Sequence, residues 1–218
     1  MQFHDRSQAG KELAAALSVY TGREDVILFA LPRGGVPVAA EVAKALNLPL
    51  DVMLVRKLGV PGQEELAMGA ISIGGICVLN DHVIGQLQLT QADIDQVLAL
   101  EQAELTRRNQ LYRGNRPMPN LDGKTVIVID DGLATGTTMQ AAVSAIKEAR
   151  PHEIIVAVPV GATETCSQLE TQAGKVVCLF KPVPFQDVGR WYRDFDQVSD
   201  DEVKALLNKF AAHSGNSE

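Results

Sequence analysis

The segment from residue 126 to residue 138 constrains the fold more than any other stretch of the chain. It reads VIVIDDGLATGTT and opens with four β-branched residues, a composition typical of a strand buried on both faces of a parallel sheet. Asp130 and Asp131 end that strand, and residues 139–149 have a helical pattern. The segment therefore predicts an α/β protein, in which ligands bind at the carboxyl ends of the parallel strands.

The residues between the acid pair and the helix are suited to binding a phosphate group. Residues 132–138 are rich in glycine and hydroxyl side chains, and they lead into a helix N-terminus. Free backbone N–H groups and the positive end of the helix dipole favour an anion there. Two carboxylates beside such a loop would accept hydrogen bonds from vicinal hydroxyls, so the segment indicates a phosphorylated sugar such as ribose 5-phosphate.

Three other phosphate-related sites fit this segment less well. A response-regulator receiver also carries acids after a strand, but it would not need the glycine and threonine residues that follow. A phosphatase that forms an aspartyl phosphate would space its two acids by one residue. The loop also lacks the G-K-[ST] sequence of a Walker A motif.

A second strand, turn and helix lies earlier in the chain. Residues 26–31 have the pattern of a buried strand, PRGG follows, and residues 36–46 are an apolar helix candidate. Gly34 and Gly35 would let the backbone approach a ligand closely, and Arg33 offers several donors to phosphate oxygens. Such a turn is weak evidence alone, but its place ahead of the acid pair strengthens it.

A third segment also places candidate ligand-binding residues directly after a strand. A short strand at residues 51–55 is followed at once by Arg56 and Lys57, whose charge would match a diphosphate. The alternative is a pair of solvated cations at a strand end. Residues 58–65 have the composition of a mobile loop, and Gly74-Gly75 between two apolar runs predicts a β-hairpin.

These three segments, in this order, resemble the type I phosphoribosyltransferases. The VIVIDDGLATGTT segment resembles the motif with which that family binds phosphoribosyl pyrophosphate (PRPP). The resemblance implies an α/β fold with a mainly parallel sheet flanked by helices and a small hood subdomain. We therefore expect one domain over residues 1–218, with a flexible loop and hairpin at 56–80 and the hood at 182–212. The chain is similar to a group of bacterial phosphoribosyltransferase-like proteins, and its sequence does not identify the acceptor.

The resemblance also implies a reaction, in which a nitrogen nucleophile displaces pyrophosphate from C1 of PRPP. Asp130 and Asp131 would accept hydrogen bonds from the ribose hydroxyls. The residues expected to hold the 5-phosphate are Ala134, Thr135, Gly136, Thr137 and Thr138. The residues expected to face the diphosphate are Arg33, Gly34, Gly35, Arg56 and Lys57, with a cis peptide bond before Arg33. Mg²⁺ is the expected cofactor and would arrive with PRPP, with the acid pair as the protein groups nearest to it.

The sequence constrains the acceptor of the phosphoribosyl group less than it constrains the donor, PRPP. Ala134 stands where the 6-oxopurine members of the family carry an acid, so salvage of those bases is disfavoured. Glu64 and Glu65 are candidates for the general acid or base, although loop glutamates are usually only solvated. Phe185, Trp191 and Tyr192 are candidates to stack on a flat nitrogen heterocycle, and the alternative is that they pack a small subdomain.

Composition and net charge limit the classes of partner that the protein is expected to bind. A net charge of −7 gives no support for nucleic-acid binding, and no run is long enough to span a membrane. The N-terminus lacks the apolar region of a signal peptide, so we expect a cytoplasmic enzyme. We also expect the protein to form a homodimer. Two other functions stay open, a regulatory protein that binds PRPP and an enzyme that catalyses phosphorolysis in the same pocket.

Two further expectations concern single side chains. Residues 91–112 predict a long helix capped by Thr90 and Asp93, and Glu101 lies within its apolar stripe. We expect Glu101 to form an ion pair with Arg107, Arg108 or Arg113. Cys77 and Cys178 lie in apolar strand patterns and are expected to be buried free thiols.

Overall fold

The computed structural model describes residues 2–114 and 116–211. Short 3₁₀ turns lie at Ser18–Tyr20 and Gly189–Trp191. The helices and longer strands are, in chain order, α1 (Arg6–Ala16), β1 (Val26–Ala30), α2 (Gly35–Leu46), β2 (Leu50–Val52), β3 (Val55–Val60), β4 (Gln63–Ser72), β5 (Cys77–Leu79), α3 (Asp81–Gln86), α4 (Gln91–Arg113), β6 (Thr125–Ile129), α5 (Thr137–Glu148), β7 (Glu153–Val160), α6 (Thr163–Ala173), β8 (Gly174–Phe180) and α7 (Asp200–Ala211).

The central sheet is parallel, as predicted. Its five strands lie in the order β2-β1-β6-β7-β8. Strands β1 and β6 pair from Val26 with Thr125 to Ala30 with Ile129, so both strands end at the same level. The loops that follow them therefore emerge side by side. This places the PRGG turn next to the acid pair.

The β-branched strand β6 is buried on both faces. Every residue of the strand is buried. Ile127 and Ile129 belong to a core formed with α1, α2 and α7, whereas Val126 and Val128 belong to the core formed with α5 and α6. Side chains of a strand alternate between the two faces of the sheet, so a continuous apolar run is what this position requires. The mainly parallel sheet flanked by helices confirms the predicted α/β fold class.

The predicted mobile loop is instead an antiparallel hairpin. Strands β3 and β4 pair around a turn at Pro61-Gly62, and Gly62 has a φ of 76°. The predicted strand at residues 51–55 is split, because β2 ends at Val52 and β3 begins at Val55 in a second sheet. Leu58 and Val60 are buried, so this stretch has the alternation of a strand, which its glycine and proline residues obscured.

The second predicted hairpin is confirmed. Strand β5 pairs antiparallel with β4, and Gly74 and Gly75 between them have φ values of 92° and 81°. The prediction that Cys77 is buried is wrong, since Cys77 is exposed on β5 at the edge of the small sheet. Cys178 is partly buried in β8.

The predicted hood segment, residues 182–212, divides into two parts. Its first part lies beside the N-terminal segment, where the Phe3 amide donates to the Trp191 carbonyl oxygen at 2.8 Å. Its second part is the helix α7, whose Val203 and Leu207 pack in the main core. This helix has apolar residues at helical spacing that the sequence interpretation overlooked. Residue 212 lies outside the described residues.

The long helix α4 carries a buried ion pair that fixes its C-terminal end. It begins with the predicted capping box of Thr90 and Asp93. At its end Arg113, whose side chain is only 1% exposed, donates to both carboxylate oxygens of Asp51 at 2.9 Å. Among the helices of residues 2–114 and 116–211, none has the length and apolar composition needed to cross a membrane.

Replacing Arg113 with Met should destabilise the protein by about 3–5 kcal/mol, because Asp51 would keep a poorly solvated charge without its partner. Urea unfolding of the two proteins measures this difference. Arg107→Met on the exposed side of the same helix is the control and should change the free energy of unfolding by about 0.5 kcal/mol or less. Equal effects at both positions would contradict the structural role of the buried pair.

Candidate functional site

The PRGG turn lies directly against the acid pair. The Leu31 amide donates to the Ile129 carbonyl oxygen at 2.9 Å, which ties the two strand ends together. A Cβ atom on Gly34 would overlap Oδ2 of Asp131, and one on Gly35 would lie 2.6 Å from the Ile129 carbonyl oxygen. Only glycine fits at these two positions. The peptide bond between Pro32 and Arg33 is cis, as predicted.

The acid pair is held in an environment that opposes its charge. Asp130 accepts a hydrogen bond from the Asp131 amide at 2.9 Å. Burial, and then the neighbouring charge of Asp131, raise the pKa of Asp130 well above its ordinary value. Burial also raises the pKa of Asp131, whose side chain is 14% exposed. Two such carboxylates serve stability poorly, so their placement at a strand end indicates a binding role.

One residue of this site escaped the sequence interpretation. Arg6, in the first turn of α1, donates from Nε to Oδ2 of Asp131 at 2.8 Å, and its charge opposes the rise in the pKa of Asp131. Its guanidinium carbon lies 3.9 Å from the centroid of the Phe195 ring. Arg6 precedes Asp131 by 125 residues, and the sequence signals only the helix start at Asp5.

The loop after the acid pair is anchored at Leu133 and open beyond it. The Leu133 amide donates to the Val160 carbonyl oxygen at 2.9 Å. Thr165 of α6 donates to the Ala134 carbonyl oxygen at 2.6 Å, which ties the loop to that helix. Gly136, with a φ of 71°, leads into α5 at Thr137. Ala134, Thr135 and Thr138 are exposed, and the free amides of the helix start suit an anion.

The cations predicted to face a diphosphate are paired with acids of the same chain. Nη1 of Arg33 lies 3.6 Å from Oδ1 of Asp200 at the start of α7. Lys57 Nζ lies 3.4 Å from Oε2 of Glu65 across the hairpin. Arg56 pairs with Glu101 of α4. The charge of each of these cations is therefore compensated by a carboxylate of the same chain.

The predicted partner of Glu101 is wrong. Glu101 accepts a hydrogen bond from Nε of Arg56 at 2.5 Å, from β3 and not from its own helix. Arg107 and Arg108 both contact Glu104, and Arg113 contacts Asp51. The prediction considered only arginines near in sequence, whereas the face of α4 that carries Glu101 is turned toward β3.

A cleft of about 670 Å³ lies between the β3–β4 hairpin, α4 and the start of α5. The PRGG turn and the phosphate loop reach it through Pro32 and Thr138, whereas the acid pair lies outside its lining. Its charged lining residues are Arg56, Lys57, Glu64, Glu65, Glu101 and Arg108. Glu64 and Glu65 stand at its rim with exposed side chains, so the structure places them near the site but in solvent.

The aromatic residues of the C-terminal segment pack chiefly on each other. Tyr192 donates to the Asp131 carbonyl oxygen at 2.6 Å but is only 3% exposed, between contacts to Phe3 and Phe195. Such burial removes Tyr192 from the candidates for stacking on an acceptor. Trp191 packs edge-on against Phe180 at 5.0 Å, and Phe185 borders the same cluster. Subdomain packing, the predicted alternative, accounts for Tyr192.

The comparison with known proteins agrees with this geometry. A family model described as the phosphoribosyl transferase domain matches residues 2–191. The chain belongs to the phosphoribosyl transferase family. A Mycobacterium tuberculosis (strain H37Rv) protein provisionally named a phosphoribosyl transferase is 45% identical over 207 residues, which is 95% of this chain and 46% of that protein. The chain thus spans about half the length of the curated relatives it matches.

Solved structures place this phosphoribosyl transferase chain in the same fold. The crystal structure of the protein TT1426 from Thermus thermophilus has a TM-score of 0.88 at 41% identity, over 97% of this chain and 100% of that one. A hypoxanthine-guanine phosphoribosyltransferase from Bacillus anthracis has a TM-score of 0.50 at 15% identity, over 89% of this chain and 93% of that one. The second similarity shows a shared fold only.

Replacing Asp130 with Asn should stabilise the protein at pH 7. The native pKa of Asp130 lies above its ordinary value of 3.8, so the native state loses stability as pH rises through that raised pKa. Asn keeps the acceptor for the Asp131 amide and removes the charge. Each unit by which the pKa is raised corresponds to about 1.4 kcal/mol.

Urea unfolding between pH 3 and pH 8 measures this effect. The advantage of the Asn variant should grow with pH and shrink below pH 4, where the carboxyl of the wild type becomes protonated in the unfolded state as well. A variant less stable than the wild type at pH 7 would show that the charged form of Asp130 is favourable in the fold.

Proposed function

We propose that this protein transfers the 5-phosphoribosyl group of PRPP to a nucleobase-like nitrogen acceptor and releases pyrophosphate. The observation that carries the proposal is the contact of the PRGG turn with the acid pair, in which Gly34 and Gly35 leave no room for a Cβ atom. A backbone brought this close to two carboxylates, next to an open helix N-terminus, suits a sugar that bears both hydroxyls and phosphates.

The donor would be held by three parts of the chain. The amides and hydroxyls of residues 135–138 would bind the 5-phosphate at the start of α5. Asp130 and Asp131 would accept hydrogen bonds from the 2- and 3-hydroxyls, and Arg6 keeps the Asp131 carboxylate oriented through its 2.8 Å contact. As the bond from C1 to the diphosphate weakens, positive charge develops on the ribose, and the nearby carboxylates favour that charge.

The diphosphate would replace the carboxylates that now pair with the site's cations. Arg33, Arg56 and Lys57 would exchange Asp200, Glu101 and Glu65 for phosphate oxygens. Gly34 and Gly35 would let the PRGG turn lie close to this group, because neither carries a Cβ atom that would collide with the acid pair. Exchange between two partners of like charge keeps the cations compensated in both states, since an unpaired and partly buried charge is unfavourable.

Magnesium is the cofactor that fits this chemistry. Among residues 2–114 and 116–211, no group of three or more His, Cys, Asp or Glu side chains is arranged to hold a metal ion. The hard oxygen donors of Asp130 and Asp131 suit Mg²⁺ that is bound mainly by the ligand's own hydroxyl and diphosphate oxygens. When bound, Mg²⁺ would neutralise charge on the diphosphate.

The acceptor would be a nitrogen heterocycle other than a 6-oxopurine, because Ala134 offers no acid for the N7 proton. Glu64 or Glu65 at the rim of the cleft would serve as general acid or base. Phe185 and Trp191, which are half-buried, remain the candidates for stacking. Reaction in the cytoplasm would fit a small-molecule enzyme of this composition.

Product analysis tests the proposal. The protein is incubated with Mg²⁺, PRPP and a metabolite extract, and new nucleotides are sought by mass spectrometry. A new nucleotide formed with release of diphosphate supports transfer. Formation of ribose 1,5-bisphosphate and a free base from a nucleotide and phosphate would support phosphorolysis in its place.

The double variant Asp130→Asn/Asp131→Asn should form no product while remaining folded. The two amides cannot balance the positive charge that develops on the ribose, and they accept hydrogen bonds more weakly. Thermal unfolding of the same sample checks the fold. A folded double variant with wild-type turnover would exclude the acid pair from catalysis.

Replacing Asp200 with Asn should tighten binding of inorganic diphosphate with Mg²⁺ by up to about fivefold, because Arg33 no longer pairs with a competing carboxylate. A fivefold change in affinity corresponds to about 1 kcal/mol, the upper value for a partly exposed ion pair. Calorimetric titration measures the dissociation constants. Asp201→Asn is a matched control, since Asp201 lies next in the chain, is 95% exposed and contacts Lys204 at 3.9 Å. Equal changes at both positions would attribute the effect to net charge alone.

A further inference from the structure

Two neighbouring arginines of α4 share one partner but face different surroundings. Arg107 donates to both oxygens of Glu104 at 2.8 and 3.0 Å, and its side chain is 58% exposed. Arg108 donates from Nε to Glu104 at 2.7 Å and is 33% exposed. Of the two, Arg108 lines the 670 Å³ cleft. The chain thus offers an arginine in the cleft and a matched one outside it.

The face of α4 that carries Arg108 forms one wall of the cleft. Val97, Glu101, Leu105 and Arg108 recur at helical spacing along this wall. The opposite wall carries Arg56 and Lys57, which the proposed function assigns to the diphosphate. Arg108 is therefore a third cation on the same cavity, supplied by a different element.

Arg108 has N–H donors that its bond to Glu104 does not use. Its bond to Glu104 uses Nε, and a guanidinium carries four more N–H donors on its two terminal nitrogens. Arg108 could thus contact phosphate oxygens without leaving Glu104.

The electrostatic surroundings agree with this arrangement. The charges of Arg33 and Arg108 both act on the hydroxyl of Tyr112, and both oppose the rise of its pKa, which burial and Asp200 bring to about 12. Arg107 also acts on Tyr112, so this proximity places Arg108 near the PRGG turn but does not distinguish the two arginines. What distinguishes Arg108 is its position in the lining of the cleft with Arg56 and Lys57, and a diphosphate with several negative charges is the ligand group that these cations match.

We propose that Arg108 is a further ligand-binding residue, which contacts the diphosphate group of PRPP from the wall formed by α4. This inference rests on the proposed function and extends it to an element outside the motifs of the two loops and β3. It makes α4 part of the binding site and not only a support for the hairpin.

The experiment compares Arg108→Gln with Arg107→Gln. Both substitutions keep the aliphatic stem and a good helix former, and both leave Glu104 with one arginine. Calorimetry measures the affinity of each variant for inorganic diphosphate with Mg²⁺, for PRPP with Mg²⁺ and for ribose 5-phosphate. Arg108→Lys is a further variant, which keeps the charge but not the forked donors.

Arg108→Gln should weaken diphosphate and PRPP binding by about tenfold or more, the usual effect of losing a charge-assisted hydrogen bond. Its affinity for ribose 5-phosphate, and all affinities of Arg107→Gln, should stay near wild type, and Arg108→Lys should recover part of the loss. Equal diphosphate affinities of the two Gln variants, or an equal loss for ribose 5-phosphate, would overturn the inference. A wild type that binds neither PRPP nor diphosphate would instead overturn the proposed function.

Discussion

The rest of the site depends on the close approach of the PRGG turn to the acid pair. Strands β1 and β6 are neighbours in register, and their ends place Gly34 and Gly35 against Asp131 and the Ile129 carbonyl oxygen. Any side chain at either glycine would displace the acids. The parallel sheet thus holds two loops that are distant in sequence in direct contact, which is the rigidity that binding a small phosphorylated sugar requires.

The charges of the site are compensated by residues of the chain itself. Arg6 compensates Asp131, while Asp200, Glu101 and Glu65 compensate Arg33, Arg56 and Lys57. The acids come from α7, α4 and β4, so under the proposed function elements outside the motifs would help to set the affinity for the diphosphate. Burial, and then the neighbouring charge of Asp131, raise the pKa of Asp130, so its charged form is unfavourable at the strand end. The fold accepts this unfavourable charge where a ligand with hydroxyl donors would make it favourable.

The sequence predicts the parts that local patterns determine. The β-branched run of β6, the capping box of α4 and the Gly74-Gly75 turn each specify their structure from within a few residues. Patterns did not reveal Arg6 or the Arg56–Glu101 pair, because each is a contact between distant segments. The strand pairing around Pro61-Gly62 was not predicted, since its turn residues hid the alternation of Leu58 and Val60.

The central claim is that these loops form a site for PRPP, and thermal unfolding with ligands tests it most directly. PRPP with Mg²⁺ at about 100 times its dissociation constant should stabilise the native protein by about 2.7 kcal/mol. ATP should stabilise it less, because its phosphates lie at the 5-position and its C1 carries a base in place of a diphosphate. No shift with millimolar PRPP together with a clear shift from ATP would contradict the account.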